Sequence, residues 1–251
     1  MEQGQEADGG GNMTQWVYGK NVVKQILKSQ TKVHHLYMAI SDKEIEELAR
    51  HKKVNIEHID KNKLNKMANG VNHQGVAVEI EEYQTLSLKE LLGRIPAGRD
   101  GWLIMLDELE APHNLGAILR TCDAVGVDGV IIKKDHAVGL TPTVAKVSAG
   151  AIDTIPVASV TNLNNAIREL KDAGYWIVGT DMDRAIDYRQ LRVDMPLVLV
   201  IGNEGKGISR LVKENCDIMV KLPMEGSISS LNASVAAGVL MYEVHNKKNP
   251  L

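Results

Sequence analysis

The 251-residue chain contains no phenylalanine, and aromatic residues make up only 4% of it. A core without large rings has to rest on Leu, Ile, Val, Ala and Met, which a hydrophobic content of 44% allows. Cysteine is equally scarce. Cys122 and Cys216 lie far apart and form no Cys-x-x-Cys pair, which argues against a disulfide scaffold or a zinc knuckle and fits a reducing compartment. Both read as small packing residues rather than reactive thiols, and no metal is expected. No apolar run reaches the roughly 20 residues of a membrane span, so no membrane partner is expected. The opening stretch MEQGQEADGGGNMTQ has neither a basic n-region nor an apolar h-region. Residues 1–15 are therefore expected to be a disordered tail, and the chain to be cytoplasmic.

Strong net charge is also missing. The total is −3, which argues against a general nucleic-acid binder. Its distribution is uneven, however. From Trp16 to Gly75 eleven Lys/Arg face six Asp/Glu, and five histidines join them. A basic segment on an acidic body points to a local anionic partner, with a solvated lysine face as the alternative.

What is present is an alternation of strand and helix patterns. YGKNVVKQILKSQ has helical spacing at Val22, Val23, Ile26 and Leu27, and KVHHLYMAI reads as a strand. SDKEIEELARHKK reads as a helix opened by a capping box at Ser41 and Glu44. VNIEHI, DKNKLNKMANG and GVAVEIEEY continue as strand, basic helix and strand. TLSLKELLGRIPAGRDG is a helical segment followed by a Pro/Gly-rich break. This divides the chain into a tail at 1–15, a small α/β domain at 16–83, a linker at 84–98 and a second domain at 99–251. In the second domain WLIMLD, GVIIKK, YWIVGTD, PLVLVIG and DIMVKL are apolar strands. The helices between them are NLGAILRTCDAVG, TPTVAKVSAGA, residues 162–173, GISRLVKENC and a final one from Ser230 to His245. The fold class expected is α/β, a mostly parallel sheet covered by helices on both faces.

Parallel sheets bind ligands beyond the carboxyl ends of their strands, and three loops there are unusual. In LDELEAPHNLGAILRT, Asn114 stands where a helix N-cap belongs, after an extended Pro112, and Arg120 lies off its face. On spacing alone this reads as a capped helix with a solvated arginine. VIGNEGKGIS places three glycines around Asn203, Glu204 and Lys206. Their order, Gly-x-x-Gly-x-Gly, is neither the dinucleotide-binding fingerprint nor a Walker loop. A bare-backbone wall with Glu204 as acceptor fits it, and so does a plain tight turn. In LPMEGSISSLNASVAAG, Ser229 or Ser230 suffices to cap the last helix. The surplus of polar groups, Asn232 above all, points to a site.

In order and spacing, NLGAILRT, VIGNEGKG and LPMEGSISSLNASVAAG resemble the three signature motifs of the SpoU (TrmH-like) ribose methyltransferases of the SPOUT class. WVYGKNVVKQIL resembles the start of that family's N-terminal RNA-binding domain, which is similar to a ribosomal protein fold. The resemblance covers nearly all of residues 16–243. It implies a deep C-terminal trefoil knot, S-adenosylmethionine as cofactor, a homodimer, and methylation of a ribose 2′-oxygen in RNA. The two-domain form is most similar to RlmB-type enzymes, which modify a guanosine of 23S rRNA. A tRNA substrate and a non-catalytic RNA-binding or ribosome-assembly role are the alternatives. Carried over position by position, the resemblance implies catalytic roles for Asn114, Arg120, Glu204, Ser230 and Asn232. It implies cofactor contacts for Thr180, Gly202, Leu222, Met224 and Leu231.

Overall fold

A computed structural model describes residues 13–182 and 184–251 of the chain. The expected tail therefore lies outside the described residues except for its last three, of which Thr14 and Gln15 already belong to a strand. The chain divides between Tyr83 and Gln84 into two compact units.

The first unit runs β1 (Thr14–Tyr18), α1 (Lys20–Lys28), β2 (Val33–Met38), α2 (Lys43–Lys52), β3 (Ile56–His58), α3 (Lys61–Ala68) and β4 (Val76–Glu81). Among the described residues its sheet has the order β1-β4-β2-β3. β4 is antiparallel to both neighbours, and β3 is parallel to β2. Val23, Ile26 and Leu27, spaced to share one face of α1, pack on Leu36, Met38, Val78 and Ile80. Two details differ from the sequence reading. β1 precedes α1 so closely that its pattern merges with the helix; Gly19, at φ 103, separates them. The cap of α2 is Asp42, whose carboxylate accepts from Ile45 N at 3.2 Å, while Ser41 Oγ donates to Glu46 at 3.0 Å. With two cap-competent residues adjacent, the charged acceptor, also flanked by Lys20 and Lys24 at 3.6 and 3.7 Å, takes the helix end.

The second unit opens with α4 (Leu88–Gly93), inside the stretch expected as a linker. Residues 84–98 instead join this unit's structure. Leu86 bridges to Ala158, Leu88 and Leu91 are buried against Leu103, Met105 and Ile131, and a true capping box sits at Ser87 and Glu90. Then follow β5 (Trp102–Leu106), α5 (Pro112–Val125), β6 (Gly129–Lys133), α6 (Pro142–Val147), α7 (Ala151–Thr154), β7 (Val157–Val160), α8 (Leu163–Asp172) and β8 (Trp176–Thr180). The chain ends with β9 (Ile186–Asp187), a 3-10 turn at Tyr188–Gln190, β10 (Leu197–Ile201), α9 (Arg210–Asn215), β11 (Ile218–Lys221) and α10 (Ala233–Lys248).

Among the described residues the second sheet has the order β7-β6-β5-β10-β8-β11-β9, and every pairing in it is parallel. β5 and β10 are buried along their whole length, as central parallel strands without alternation should be. From β5 the chain first builds towards β7. It later inserts β10 between β5 and β8, so the direction of winding reverses beside β5. Loops leaving the carboxyl ends of β8, β10 and β11 therefore come together at one edge, where doubly wound sheets hold ligands.

Two helix starts are corrected. α5 begins at Pro112 with Ala111 as N-cap, so Asn114 is the third helical residue and not the cap. Proline is pre-shaped for the first helical position, which frees the Asn114 side chain. α10 begins at Ala233, and its cap is Asn232 rather than Ser229 or Ser230.

Candidate active site

The loop after β10 carries the glycines. Asn203 and Gly207 close it with paired backbone bonds, Asn203 N to Gly207 O at 3.0 Å and Gly207 N to Asn203 O at 2.7 Å. Asn203 Oδ1 also accepts from Gly205 N and Lys206 N at 2.9 and 3.2 Å. Gly202 is needed here: a Cβ on it would lie 2.4 Å from Gly207 C. The loop thus projects Glu204 while folding its own backbone flat.

Glu204 is the point where the three sequence motifs meet. Its Oε1 accepts from Asn114 Nδ2 at 2.6 Å, Asn232 Nδ2 at 2.7 Å and Ala233 N at 3.3 Å. Asn232 Nδ2 also donates to Asn114 Oδ1 at 3.0 Å. A carboxylate at the amino end of α10 is favoured by the unpaired N–H groups there. Asn232 Oδ1 is spent on that same helix end, accepting from Ser234 N, Ser234 Oγ and Val235 N at 3.0, 2.6 and 3.3 Å. Ser230 Oγ donates to the backbone oxygen of Glu204 at 3.1 Å. Asn114, Glu204, Ser230 and Asn232, up to 118 residues apart in sequence, therefore form one bonded group. Asn114 is its buried member, 6% exposed.

Arg120 is placed apart from it. It lies on the exposed side of α5 and makes no hydrogen bond or ion pair among the described residues. Glu204 is organised by the two asparagines, with no contribution from a guanidinium.

Beside the group opens a cavity of about 360 Å³. Thr180 ends β8, Gly202 follows β10, Leu222 and Met224 follow β11, and Leu231 precedes α10; all five line it, with Glu204 and Ser230 on its wall. The volume is that of a small-molecule site, and the lining mixes apolar side chains such as Ile201, Leu222, Met224 and Leu231, bare glycine backbone, and polar side chains that include Lys206, Lys213 and Lys221. S-adenosylmethionine needs such a mixture, apolar surface for the adenine and backbone groups for its polar edge, so the residues present fit it. Lys213 forms an ion pair with Asp181 on the same wall, while Lys206 and Lys221 line it without an ion pair among the described residues.

Sequence reasoning passed over Asp107. It is 3% exposed, and its Oδ2 accepts from Ser209 N at 2.7 Å. It ties the end of β5 to the far side of the glycine loop. The signal was available: an acidic residue closing a fully apolar strand. Glu108 follows it in the left-handed region at φ 54, and its carbonyl accepts from Asn203 Nδ2 at 3.3 Å. The thiols are remote from this chemistry. Cys122 is fully buried, which drives its pKa up, and burial pushes Cys216 up to about 12.

The chain is similar to known proteins over both units. Residues 101–242 match the SpoU rRNA Methylase family, and residues 16–86 match the RNA 2′-O ribose methyltransferase substrate binding domain. YacO of Bacillus subtilis (strain 168), assigned to the TrmH family of tRNA/rRNA methyltransferases, is 49% identical over 242 residues, covering 94% of this chain and 97% of its own. The crystal structure of the SpoU methyltransferase AviRb from Streptomyces viridochromogenes, in complex with AdoMet, superposes with a TM-score of 0.64 at 26% identity, covering 94% of this chain and 90% of that one. The TrmH/SpoU tRNA modifying enzyme of A. aeolicus is 30% identical with a TM-score of 0.55, and covers 64% of this chain and 82% of its own.

Proposed function

The chain belongs to the SpoU rRNA Methylase family and is an S-adenosylmethionine-dependent RNA methyltransferase, and from that premise we propose that it methylates a ribose 2′-oxygen of a guanosine in 23S rRNA, as a homodimer. The observation that carries the ribose reading is the Asn114–Glu204–Asn232 group, whose Glu204 lies on the cavity wall, together with the match of the first unit to a 2′-O ribose methyltransferase substrate binding domain.

The cofactor brings a methyl group already activated by its sulfonium. The residues have to place a hydroxyl in line with it and take the hydroxyl proton. Glu204 Oε1 is committed to three N–H donors. Its Oε2 has no partner among the described residues and accepts the 2′-hydroxyl proton. Ser230 Oγ, whose own hydrogen goes to Glu204 O, orients the sugar with its lone pairs. Asn114 and Asn232 are positioning residues, since each is engaged in holding Glu204. Arg120 takes no part in the proton transfer; its planar guanidinium pairs with an RNA phosphate and offsets charge developing on oxygen.

The homodimer reading draws on α10. Val235, Val239 and Tyr242 recur at helical spacing on one face and are 51%, 39% and 49% exposed, an apolar stripe of the kind a second copy covers. The preference for rRNA rests on the first unit. The A. aeolicus tRNA enzyme aligns with only part of this chain, whereas the substrate binding match adds residues 16–86.

The test is methyl transfer from labelled S-adenosylmethionine to mixed ribosomal and transfer RNA, followed by mapping. Label on a 23S guanosine, at a linkage resistant to alkali, is the expected result. Label in tRNA overturns the rRNA assignment, and label on a base overturns the ribose assignment.

A further inference from the structure

The first unit holds a second cavity, of about 520 Å³, between α3 and the loop that follows it. Its polar lining is Lys61, Asn65, Asn72, His73 and Gln74, with exposed Val71 at the rim. No carboxylate lines it.

The hydrogen bonds decide what this lining offers. His73 is buried; its Nδ1 accepts from Gly75 N at 2.9 Å, so its proton is on Nε2 and goes to Asn65 Oδ1 at 2.6 Å. Asn72 Oδ1 accepts from Gln74 N at 3.3 Å. Gln74 Oε1 accepts from Lys20 N at 2.9 Å, serving as the side-chain partner that the Gly19 cap of α1 lacks. All three amides are therefore turned the same way. Their oxygens are engaged by the protein, and their NH₂ groups make no hydrogen bond to the described residues. Lys61 adds an ammonium without an ion pair among the described residues. The side chains of the cleft thus present donors.

Part of this unit's unpaired positive charge lies on α3, beside the cleft; α2 carries further charge, since Lys43 and Arg50 also make no ion pair among the described residues. Lys20, Lys24 and Lys28 of α1 are paired with Asp42 or Glu44. Lys61, Lys63 and Lys66 of α3 make no ion pair among the described residues, and Lys63 stands 5.8 Å from the Tyr37 ring centroid. The loop is held in shape at a conformational cost. Asn69, Gly70, Gln74 and Gly75 all have positive φ, and a Cβ on Gly75 would meet Ile40 at 2.6 Å. Such strain persists where the surroundings impose it.

We propose that this cleft is a specificity subsite for RNA. It takes one unpaired nucleotide whose acceptor-rich edge, such as the O6 and N7 of guanine, meets the Asn65, Asn72 and Gln74 amides while Lys61 holds the adjoining phosphate. Val71 and Ile40 supply apolar surface for the base face. The inference rests on the RNA-methyltransferase reading for its choice of ligand and locates where sequence is read.

The test uses the full chain photocrosslinked to mixed ribosomal and transfer RNA, with RNA affinity measured in parallel. Asn72→Asp keeps the oxygen that holds Gln74 N and replaces the NH₂ with a second acceptor. It should weaken RNA binding by roughly tenfold or more, as loss of one base-edge contact does, with S-adenosylmethionine binding and melting temperature unchanged. Lys43→Gln makes the same change in charge away from the cleft and should cost little. Crosslinks should fall on residues 61–75. If Asn72→Asp binds RNA as well as Lys43→Gln does and the crosslinks lie elsewhere, the subsite is overturned, even where methyl transfer proceeds. Crosslinks at 61–75 without any methyl transfer would sink the reaction proposed above and uphold the subsite.

Discussion

A single carboxylate oxygen, Glu204 Oε1, receives two side-chain amides and a backbone N–H, which leaves Oε2 as the group with chemistry to spare. This division makes Glu204→Gln a clean probe. The amide oxygen can keep all three bonds, so the fold and the cavity stand, while the reacting position becomes an NH₂ donor instead of an acceptor. Turnover should fall by about 10²–10⁴, the usual share of proton transfer, with little change in S-adenosylmethionine affinity. Single-turnover kinetics at saturating RNA read this directly, and a variant with near-normal turnover would end the acceptor role. The sequence alone could single out Glu204 as an acceptor. It could not say that the Asn232 oxygen is consumed as a helix cap while its NH₂ holds Glu204, because capping depends on where α10 starts.

At the scale of elements, alternation of strand and helix was legible because the inner strands of a parallel sheet are apolar throughout; WLIML and LVLVI are buried at every position. Helix ends were much less legible. Ser41 and Asp42, or Ser230 and Asn232, are all good caps locally, and tertiary partners choose between them. Two-residue β9 carries no readable pattern. α4 was legible as helical but not as part of the second unit, since only the burial of Leu88 and Leu91 assigns it there. The cap that was misread has a measurable weight. Asn232→Ala removes three acceptor contacts at the start of α10 and two donor contacts to Glu204 and Asn114. It should lower stability by about 0.5–2 kcal/mol from the cap and further through the polar group left behind at buried Asn114. Thermal melting measures this loss. Asn232→Asp, which preserves the cap oxygen but sets a second carboxylate against Glu204, should retain more stability than activity. Equal melting temperatures for wild type and Asn232→Ala would show that α10 is held by packing alone.

At the scale of the molecule, each unit has its own buried cluster: Val23, Ile26, Leu36, Met38 and their neighbours in one, and Leu103, Met105, Ile131, Val198 and theirs in the other. The cavity for the cofactor and the Glu204 group belong wholly to the second unit, and the donor-lined cleft belongs wholly to the first. Function should therefore separate along the same line. A chain lacking residues 1–83 should fold, bind S-adenosylmethionine with close to full-length affinity, and form the proposed dimer through the Val235–Val239–Tyr242 face. Its RNA affinity should drop, and its salt dependence should flatten, because the unpaired lysines of α3 no longer displace counterions from phosphate. Calorimetry with the cofactor, RNA titration at two salt concentrations and sedimentation follow the three properties separately. Val239→Glu, placed on the exposed stripe, should then convert the truncated dimer to a monomer while its melting transition stays cooperative, since that side chain is not in the core. Loss of cofactor binding on truncation, in a protein that still folds, would mean that the first unit completes the methyl-donor site, and the division of labour argued here would be wrong.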